Sequence, residues 1–360
     1  MKNILCISTH LYPTVGFGGP SVSFDNFLNF LEANKKNFTA VSATNIDSYS
    51  KGSKNYLRLF FKSRLLLKYG FSIRLFTFIY RNRANYDSFV INGITNFPLF
   101  FGILVGYYSK KKVFIFTRGG LETSRLNEWN NFKKFYYNLN IKFLRKINTS
   151  KNLFLVYQSK DEKNKSCLEA HNTLICSNYS VDNFKNIKKD FKNLNVLYVG
   201  RFSAEKGSDR LLRFLDYFND IPNRTSKIFL AIASNEEIYD LKKYNHNKRI
   251  SIQYNLNKSQ LDELYQNTNV IFFPSYKENF GNALVEGVIN GLVPVVYEDT
   301  HWSSLLNKSA ALNENELRKA INMDNIDNVY FSTISKNAQL VVVKDFIEGN
   351  DFGQVLMSLS

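Results

Sequence analysis

The sequence predicts an α/β protein made of two successive parallel-sheet domains. Short apolar runs alternate with amphipathic segments in both halves, the pattern of strands joined by helical crossovers. The 360 residues suit two domains of ordinary size. Glycine-bearing turns follow apolar runs, after a short loop at Gly16–Gly19 and directly at Gly200–Gly207, and parallel sheets of this kind take ligands at such strand ends.

In the first half, Ile4 to Ser8 reads as a strand. After a loop, Gly16-Phe17-Gly18-Gly19-Pro20 opens a helix over Ser21 to Leu31, with Val22, Phe27, Leu28 and Leu31 at helical spacing and Pro20 suited to its start. Phe38 to Ala43 is a second strand, and the basic segment after it is expected to be helical. Tyr86 to Gly93 reads as strand and turn, Asn96 to Ser109 as a helix, and Lys112 to Thr117 as a strand ending at Arg118-Gly119-Gly120. Asn127 to Ile147 is a long helix; Leu153 to Tyr157 and Leu174 to Cys176 close the half.

The second half starts with a strand over Leu194 to Gly200. Helix Ser208 to Tyr217, strand Lys227 to Ala233, helix Glu236 to Tyr244, strand Ile250 to Gln253 and helix Ser259 to Gln266 follow. Strand Asn269 to Phe273, a helix after Gly281 and strand Val293 to Tyr297 complete it. The linker is expected near Asn178 to Asn193, rich in Asn, Asp and Lys. The expected domains are 1–180 and 190–330, facing each other across a cleft, with 335–360 packing back on the first.

Composition narrows the class. With 44% hydrophobic residues the chain reads as globular. The three cysteines, Cys6, Cys167 and Cys176, are odd in number and lack metal-ligand spacing, which favours a reducing compartment. Met1 to Ser8 runs straight into a strand, so no signal peptide is expected. The longest apolar run, Phe97 to Tyr108, falls short of the roughly 20 residues a membrane-spanning helix needs.

The most informative segment is Pro274-Ser275-Tyr276-Lys277-Glu278-Asn279-Phe280-Gly281, continued to Glu286-Gly287. It puts Glu278 at a strand-to-helix junction and Glu286 down the helix beyond. Helix N-termini favour anions and carboxylates accept from sugar hydroxyls, so phosphate plus sugar is the implied ligand. In Gly200-Arg201-Phe202-Ser203-Ala204-Glu205-Lys206-Gly207, a guanidinium and an ammonium flank a strand end, a pair suited to a diphosphate and to its departure. A solvated surface pair would look the same. The Gly16–Gly19 loop permits close backbone approach to an anion, and equally fits a plain turn.

With Val199-Gly200-Arg201-Phe202, Lys206-Gly207-Ser208-Asp209 and Gly291-Leu292-Val293-Pro294-Val295-Val296, these segments resemble the retaining glycosyltransferases of GT-B fold, family 4 type. Trp302 and Thr117-Arg118-Gly119-Gly120-Leu121 are similar to features of a bacterial polysaccharide and O-antigen subgroup. The resemblance implies two Rossmann-like domains, no metal or other cofactor, and a UDP- or GDP-sugar donor. It implies that Arg201 and Lys206 hold the donor diphosphate and that Glu278 faces the sugar. Asn279, Phe280 and Gly281 would supply backbone contacts, Glu286 would bind the ribose, and Gly18 and Gly19 would approach from the first domain.

The chain also departs from that pattern. Arg118 stands where many relatives have a histidine, and none of His10, His171, His246 and His301 fills the place. Arg118 either contacts acceptor or donor or makes a structural salt bridge; His10 borders the cleft or is structural. Ser177-Asn178-Tyr179 replaces a usual Asn-Gly, and Gly287 replaces a commoner alanine at a helix cost of about 1 kcal/mol.

The net charge of +16 is the compositional outlier. An A/T-rich genome would account for part of it. Between Lys51 and Tyr86, however, nine Lys/Arg stand without one Asp or Glu, interleaved with aromatic and aliphatic residues. That mixture suits an anionic membrane surface better than nucleic acid, for which no recognition motif is present. The core side of two helices would account for many of the apolar residues. The expected protein is a cytoplasmic transferase, peripheral on the inner face of the membrane, that moves a sugar to a lipid-carrier-linked saccharide. A soluble acceptor, or a non-catalytic nucleotide-sugar binder, are the alternatives.

Overall fold

The computed structural model describes residues 3–9, 11, 18–42, 49–51, 54–58, 72–94, 96–122, 131–177, 187–221, 225–234, 236–278, 280–323, 326–348 and 352–359. The chain divides into two compact units, Met1–Tyr179 with Gly349–Ser360, and Ser180–Glu348.

In the first unit the strands are β1 (Asn3–Ser8), β2 (Asn37–Ser42), β3 (Tyr49–Lys51), β4 (Lys54–Arg58), β5 (Ser88–Asn92), β6 (Lys112–Phe116), β7 (Leu153–Tyr157) and β8 (Asn172–Ile175). They form one sheet in the order β3-β4-β2-β1-β5-β6-β7-β8. Every adjacent pair is parallel except β3 with β4. Parallel strands need crossovers that return the chain to the same edge. These include α1 (Gly18–Ala33), α2 (Ile73–Asn82), α3 (Phe97–Tyr108), α4 (Asn131–Ile147) and the short α5 (Lys160–Asn164).

The helices sort onto the two faces by their apolar stripes. Phe24, Phe27, Leu28 and Leu31 of α1 pack on one face with Ile4, Cys6 and Phe114. Leu75 and Ile79 of α2, Leu99 and Ile103 of α3, and Tyr137, Ile141, Leu144 and Ile147 of α4 pack on the other with Leu5, Ile7, Ile91 and Leu155. Gly102 and Gly106 let α3 lie close on the sheet, because a Cβ at either would meet Ile7 Cδ1 at 2.6 Å or Val113 Cγ2 at 2.7 Å.

The second unit holds β9 (Asn195–Gly200), β10 (Lys227–Ile232), β11 (Ile250–Tyr254), β12 (Val270–Phe273) and β13 (Val293–Val296), parallel throughout in the order β11-β10-β9-β12-β13. Around it lie α6 (Ser208–Asp220), α7 (Lys258–Asn267), α8 (Asn282–Ile289), α9 (His301–Ala310), α10 (Glu314–Asn322) and α11 (Asn328–Val342). The fold class is thus α/β with two parallel-strand sheets.

Two expectations fail locally. Among the described residues of the basic segment predicted to be helical, Lys54–Arg58 is a strand and Ile73–Asn82 is a helix. The strand's five residues, Lys-Asn-Tyr-Leu-Arg, pair in parallel with β2, and the three-residue β3 beyond it makes a short, lysine-ended sheet edge. The helix expected over Glu236 to Tyr244 is a 3₁₀ segment, Tyr239–Tyr244. Its buried residues, Leu241 and Tyr244, are three apart, which matches the three residues per turn of that helix.

The C-terminal helix, α12 (Phe352–Leu359), belongs to the first unit. Val355 and Leu359 join the α1 face of the core, and Lys112 Nζ donates to the Ser358 carbonyl at 2.7 Å. Leu359→Ala is therefore expected to remove roughly 2–3 kcal/mol of unfolding free energy in urea titration. An unchanged midpoint would show that this helix adds nothing to the core.

Candidate functional site

β9 and β12 are neighbours in the sheet, with Val270 opposite Val196 and Ile271 opposite Leu197. Their carboxyl ends therefore lie side by side, and the chain leaves both into short loops. The loop after β9 makes a 3₁₀ turn over Ala204–Lys206 and enters α6 through Gly207 at φ 70°. A Cβ on Gly207 would lie 2.2 Å from the Pro274 carbonyl oxygen, so the two loops touch backbone to backbone. The Glu205 carbonyl accepts from the amides of Tyr276 at 3.0 Å and Lys277 at 3.3 Å.

This stitching brings Lys206 Nζ onto Glu278 Oε1, where Ser275 Oγ also donates at 3.2 Å. The Lys206 and Glu278 side chains are 20% and 16% exposed, half-withdrawn from water but reachable. Arg201 is exposed, with only a 3.6 Å contact to Glu205. Its carbonyl accepts from Tyr198 Oη at 2.8 Å. Burial, reinforced by the Glu278 charge, pushes the Tyr198 phenol up, so it stays a neutral donor.

The loop after β12 enters α8 through Gly281 at φ 76°, where a Cβ would lie 2.7 Å from Trp302 Nε1. Phe280 is buried beside it. Glu286 sits one turn into α8 and accepts from Tyr265 Oη at 3.1 Å. Gly287 is explained by packing, since a Cβ there would lie 3.0 Å from Ile271 on β12. Asn279 and His10 lie outside the described residues.

Arg210 was not singled out by the sequence reading. It is buried on α6, pairs with Asp299 at 2.6 Å and donates to the Pro274 carbonyl at 3.2 Å. Its guanidinium lies 3.6 Å from the Tyr276 ring centre and 4.0 Å from that of Tyr297. The Pro274–Tyr276 backbone is thereby fixed from behind. The signal was present: Arg210 occupies a place in the stripe of Leu211, Phe214, Leu215 and Phe218, where an apolar residue belongs.

In the first unit, Gly18 and Gly19 begin α1. Arg118 lies two residues beyond β6 at φ 53°, buried, with Nε donating to Asn92 Oδ1 at 2.8 Å. Burial pulls its pKa down to about 10, and Glu162 opposes that fall. Glu162 was also missed. It is 1% exposed and accepts from Thr117 Oγ1 at 2.6 Å, from the Gly119 amide and from the Gln158 amide at 2.6 Å. The spacing Ser159-x-x-Glu162 signals a helix start, and Ser159 Oγ does accept from the Glu162 amide at 3.1 Å. The carboxylate goes to the neighbouring strand ends, and local spacing carries no sign of that. Among the described residues, no group of three or more His, Cys, Asp or Glu side chains is placed to hold a metal ion.

Residues 180–308 match the family described as Glycosyl transferases group 1. A search of curated proteins finds no match. Among solved structures, sucrose-phosphate synthase from Thermosynechococcus elongatus is similar at TM-score 0.74 and 17% identity, covering 100% of this chain and 99% of that one. Anabaena HepE in complex with UDP and glucose gives 0.71 and 13%, with the same coverage. S. aureus TarM, as a mutant with Fondaparinux, alpha-GlcNAc-glycerol and UDP, gives 0.71 and 11%, again covering 100% and 99%. The chain thus has the GT-B fold of two Rossmann-like domains, and its second half is similar to the Glycosyl transferases group 1 family over residues 180–308.

Two substitutions test the local geometry. Gly207→Ala, strained in φ and opposed by the Pro274 carbonyl, is expected to cost roughly 2 kcal/mol or more in denaturant unfolding. Glu162→Gln turns an amide NH₂ toward the Gly119 or the Gln158 backbone amide, neither of which can accept, and should cost about 1–3 kcal/mol. Wild-type midpoints for either would contradict the contacts described.

Proposed function

We propose that the chain is a retaining, metal-independent glycosyltransferase of family 4 type that moves a sugar from a UDP- or GDP-sugar to an acceptor hydroxyl. The observation that carries this reading is the Lys206–Glu278 pair at the adjoining ends of β9 and β12. Without donor, the two charges compensate each other. A donor diphosphate draws Lys206 and the nearby Arg201 to its oxygens. Glu278 is released to accept from the sugar hydroxyls. Asn279, Phe280 and Gly281 line the sugar and diphosphate with backbone groups, and Glu286 takes the ribose hydroxyls. Within the first unit, Gly18 and Gly19 are the candidate phosphate contacts, and Arg118 and His10 the candidate acceptor contacts.

In the proposed reaction, the bond from the anomeric carbon to the diphosphate oxygen breaks and the bond to the acceptor oxygen forms on the same face. The acceptor proton passes to the departing phosphate, and Arg201 and Lys206 stabilise the charge that builds there. The acceptor is a lipid-carrier-linked saccharide in a bacterial surface polysaccharide of the O-antigen or capsule kind. The enzyme works in the cytoplasm at the inner face of the membrane. Support for the membrane part comes from the acid-free basic-aromatic stretch 51–86; residues 52–53 and 59–71 of it lie outside the described residues.

Calorimetric titration separates the roles. Lys206→Ala should weaken binding of UDP or GDP itself by roughly 10- to 100-fold, the worth of a charge-assisted hydrogen bond. Glu278→Ala, which frees Lys206, should leave nucleotide affinity undiminished and abolish the preference for nucleotide-sugar over nucleotide, with transfer lost. If both variants bind and turn over donor like the wild type, the site assignment is wrong. A product with inverted anomeric configuration by NMR would refute retention.

A further inference from the structure

The positive charge is not spread over the chain. Between Lys51 and Lys160 stand 21 Lys/Arg against three Asp/Glu, an excess larger than the +16 of the whole protein. The remaining residues therefore carry a slight negative balance. The basic region of the sequence is thus three times longer than the 51–86 stretch and includes α2, α3 and α4.

Those three helices cover the same face of the first sheet, because their buried residues share one core cluster. They also touch laterally. Phe76 of α2 meets Phe97 and Phe101 of α3 with ring centres 5.2 and 4.9 Å apart. Phe143 of α4 meets Phe100 and Tyr108 of α3 at 5.5 and 6.5 Å. Their outward side carries large apolar side chains in the open: Ile73 55% and Tyr80 55% on α2, Tyr108 73% on α3, Phe135 70% and Leu139 48% on α4. Exposed basic residues stand among them, with Arg74 and Arg81 on α2 and Lys142, Arg145 and Lys146 on α4. Phe135, Leu139, Lys142 and Lys146 recur at helical spacing, so α4 presents an apolar end and a cationic end along one stripe.

We propose that this three-helix face of the first unit lies flat on an anionic lipid bilayer. Phe135, Leu139 and Tyr108 enter the headgroup layer, and the basic side chains around them pair with lipid phosphates. The occupant follows from the chemistry of the face. Large apolar side chains exposed among cations, on helices too short to cross a bilayer, are the pattern of interfacial binding. A nucleic acid could use the cations and stack on Tyr80, Tyr108 and Phe135, but the aliphatic Ile73 and Leu139 exposed with them suit the apolar layer of a bilayer interface and give bases nothing to stack on. The inference sharpens the membrane part of the proposed function and does not depend on donor chemistry.

The test is co-sedimentation of the full chain with vesicles of phosphatidylcholine alone or doped with phosphatidylglycerol. Binding is expected to the doped vesicles only, and to fall as salt rises. Phe135→Ser/Leu139→Ser should lower the partition coefficient about tenfold. Lys142→Ala/Lys146→Ala should lower it roughly 25-fold, about fivefold per charge. Val329→Ser/Leu340→Ser, which removes exposed apolar residues of the second unit, should change nothing. Circular dichroism melts confirm that each variant folds.

Wild-type binding by both α4 variants overturns the three-helix face. If changing Lys62, Arg64 and Lys68 abolishes binding while the α4 variants keep it, the dock lies elsewhere in the basic stretch. Equal binding to undoped vesicles overturns the electrostatic part. Displacement from vesicles by duplex DNA that the Phe135→Ser/Leu139→Ser variant binds equally well would assign the cations to nucleic acid instead. UDP-induced thermal stabilisation is measured on every variant. Its absence throughout would count against the donor site alone.

Discussion

The second unit depends on a contact that has no side chain on one side. Gly207 and the Pro274 carbonyl pack so closely that any Cβ would part them. Parallel neighbours in a sheet deliver their carboxyl ends to the same edge but do not join the loops that follow. Here the joining is done by backbone: Gly207 against Pro274, and the Glu205 carbonyl shared by the Tyr276 and Lys277 amides. Arg210 closes the arrangement from behind through Pro274, Asp299 and two tyrosine rings. Lys206 and Glu278, 72 residues apart in the chain, meet because of this stitching.

The fold was largely legible because its signals are local and repeated. Apolar runs of strand length, turn glycines and helical stripes each constrain only a few neighbouring residues, and they agreed along the chain. The failures came where local pattern met tertiary demand. Lys54–Arg58 became a strand because the β2 edge needed pairing more than a basic run needed to be helical. Glu236 to Tyr244 tightened into 3₁₀ geometry because its two buried residues are three apart.

The candidate site was legible only in part, for a related reason. Arg201, Lys206, Glu278 and Glu286 sit at strand ends or helix starts, and position alone marks them. Arg210 and Glu162 act across elements, so the sequence shows the oddity without the partner. An arginine in an apolar stripe was visible; Pro274 and Asp299 as its anchors were not. A serine-x-x-glutamate helix start was visible at Ser159, but not that its carboxylate serves Thr117 and Gly119, 45 and 43 residues earlier. Gly287 looked like a helix cost and proves to be the spacing that lets α8 lie on Ile271.

Each unit holds one withdrawn carboxylate across two adjoining strand ends, and the two are satisfied differently. A carboxylate has about four acceptor sites. Glu162 fills at least three of them with a hydroxyl and two backbone amides, and is 1% exposed. Those donors are fixed by the fold and cannot be exchanged without opening it, which makes Glu162 a structural tie. Glu278 is 16% exposed and meets an ammonium on a flexible stem and a serine hydroxyl. Both partners can turn to another acceptor at little cost to the backbone. A carboxylate whose partners can leave is suited to receive a ligand, whereas one held by amides is not. That contrast in donor type, more than the presence of paired glutamates in the sequence, is the structural ground for the donor site proposed at the β9–β12 edge.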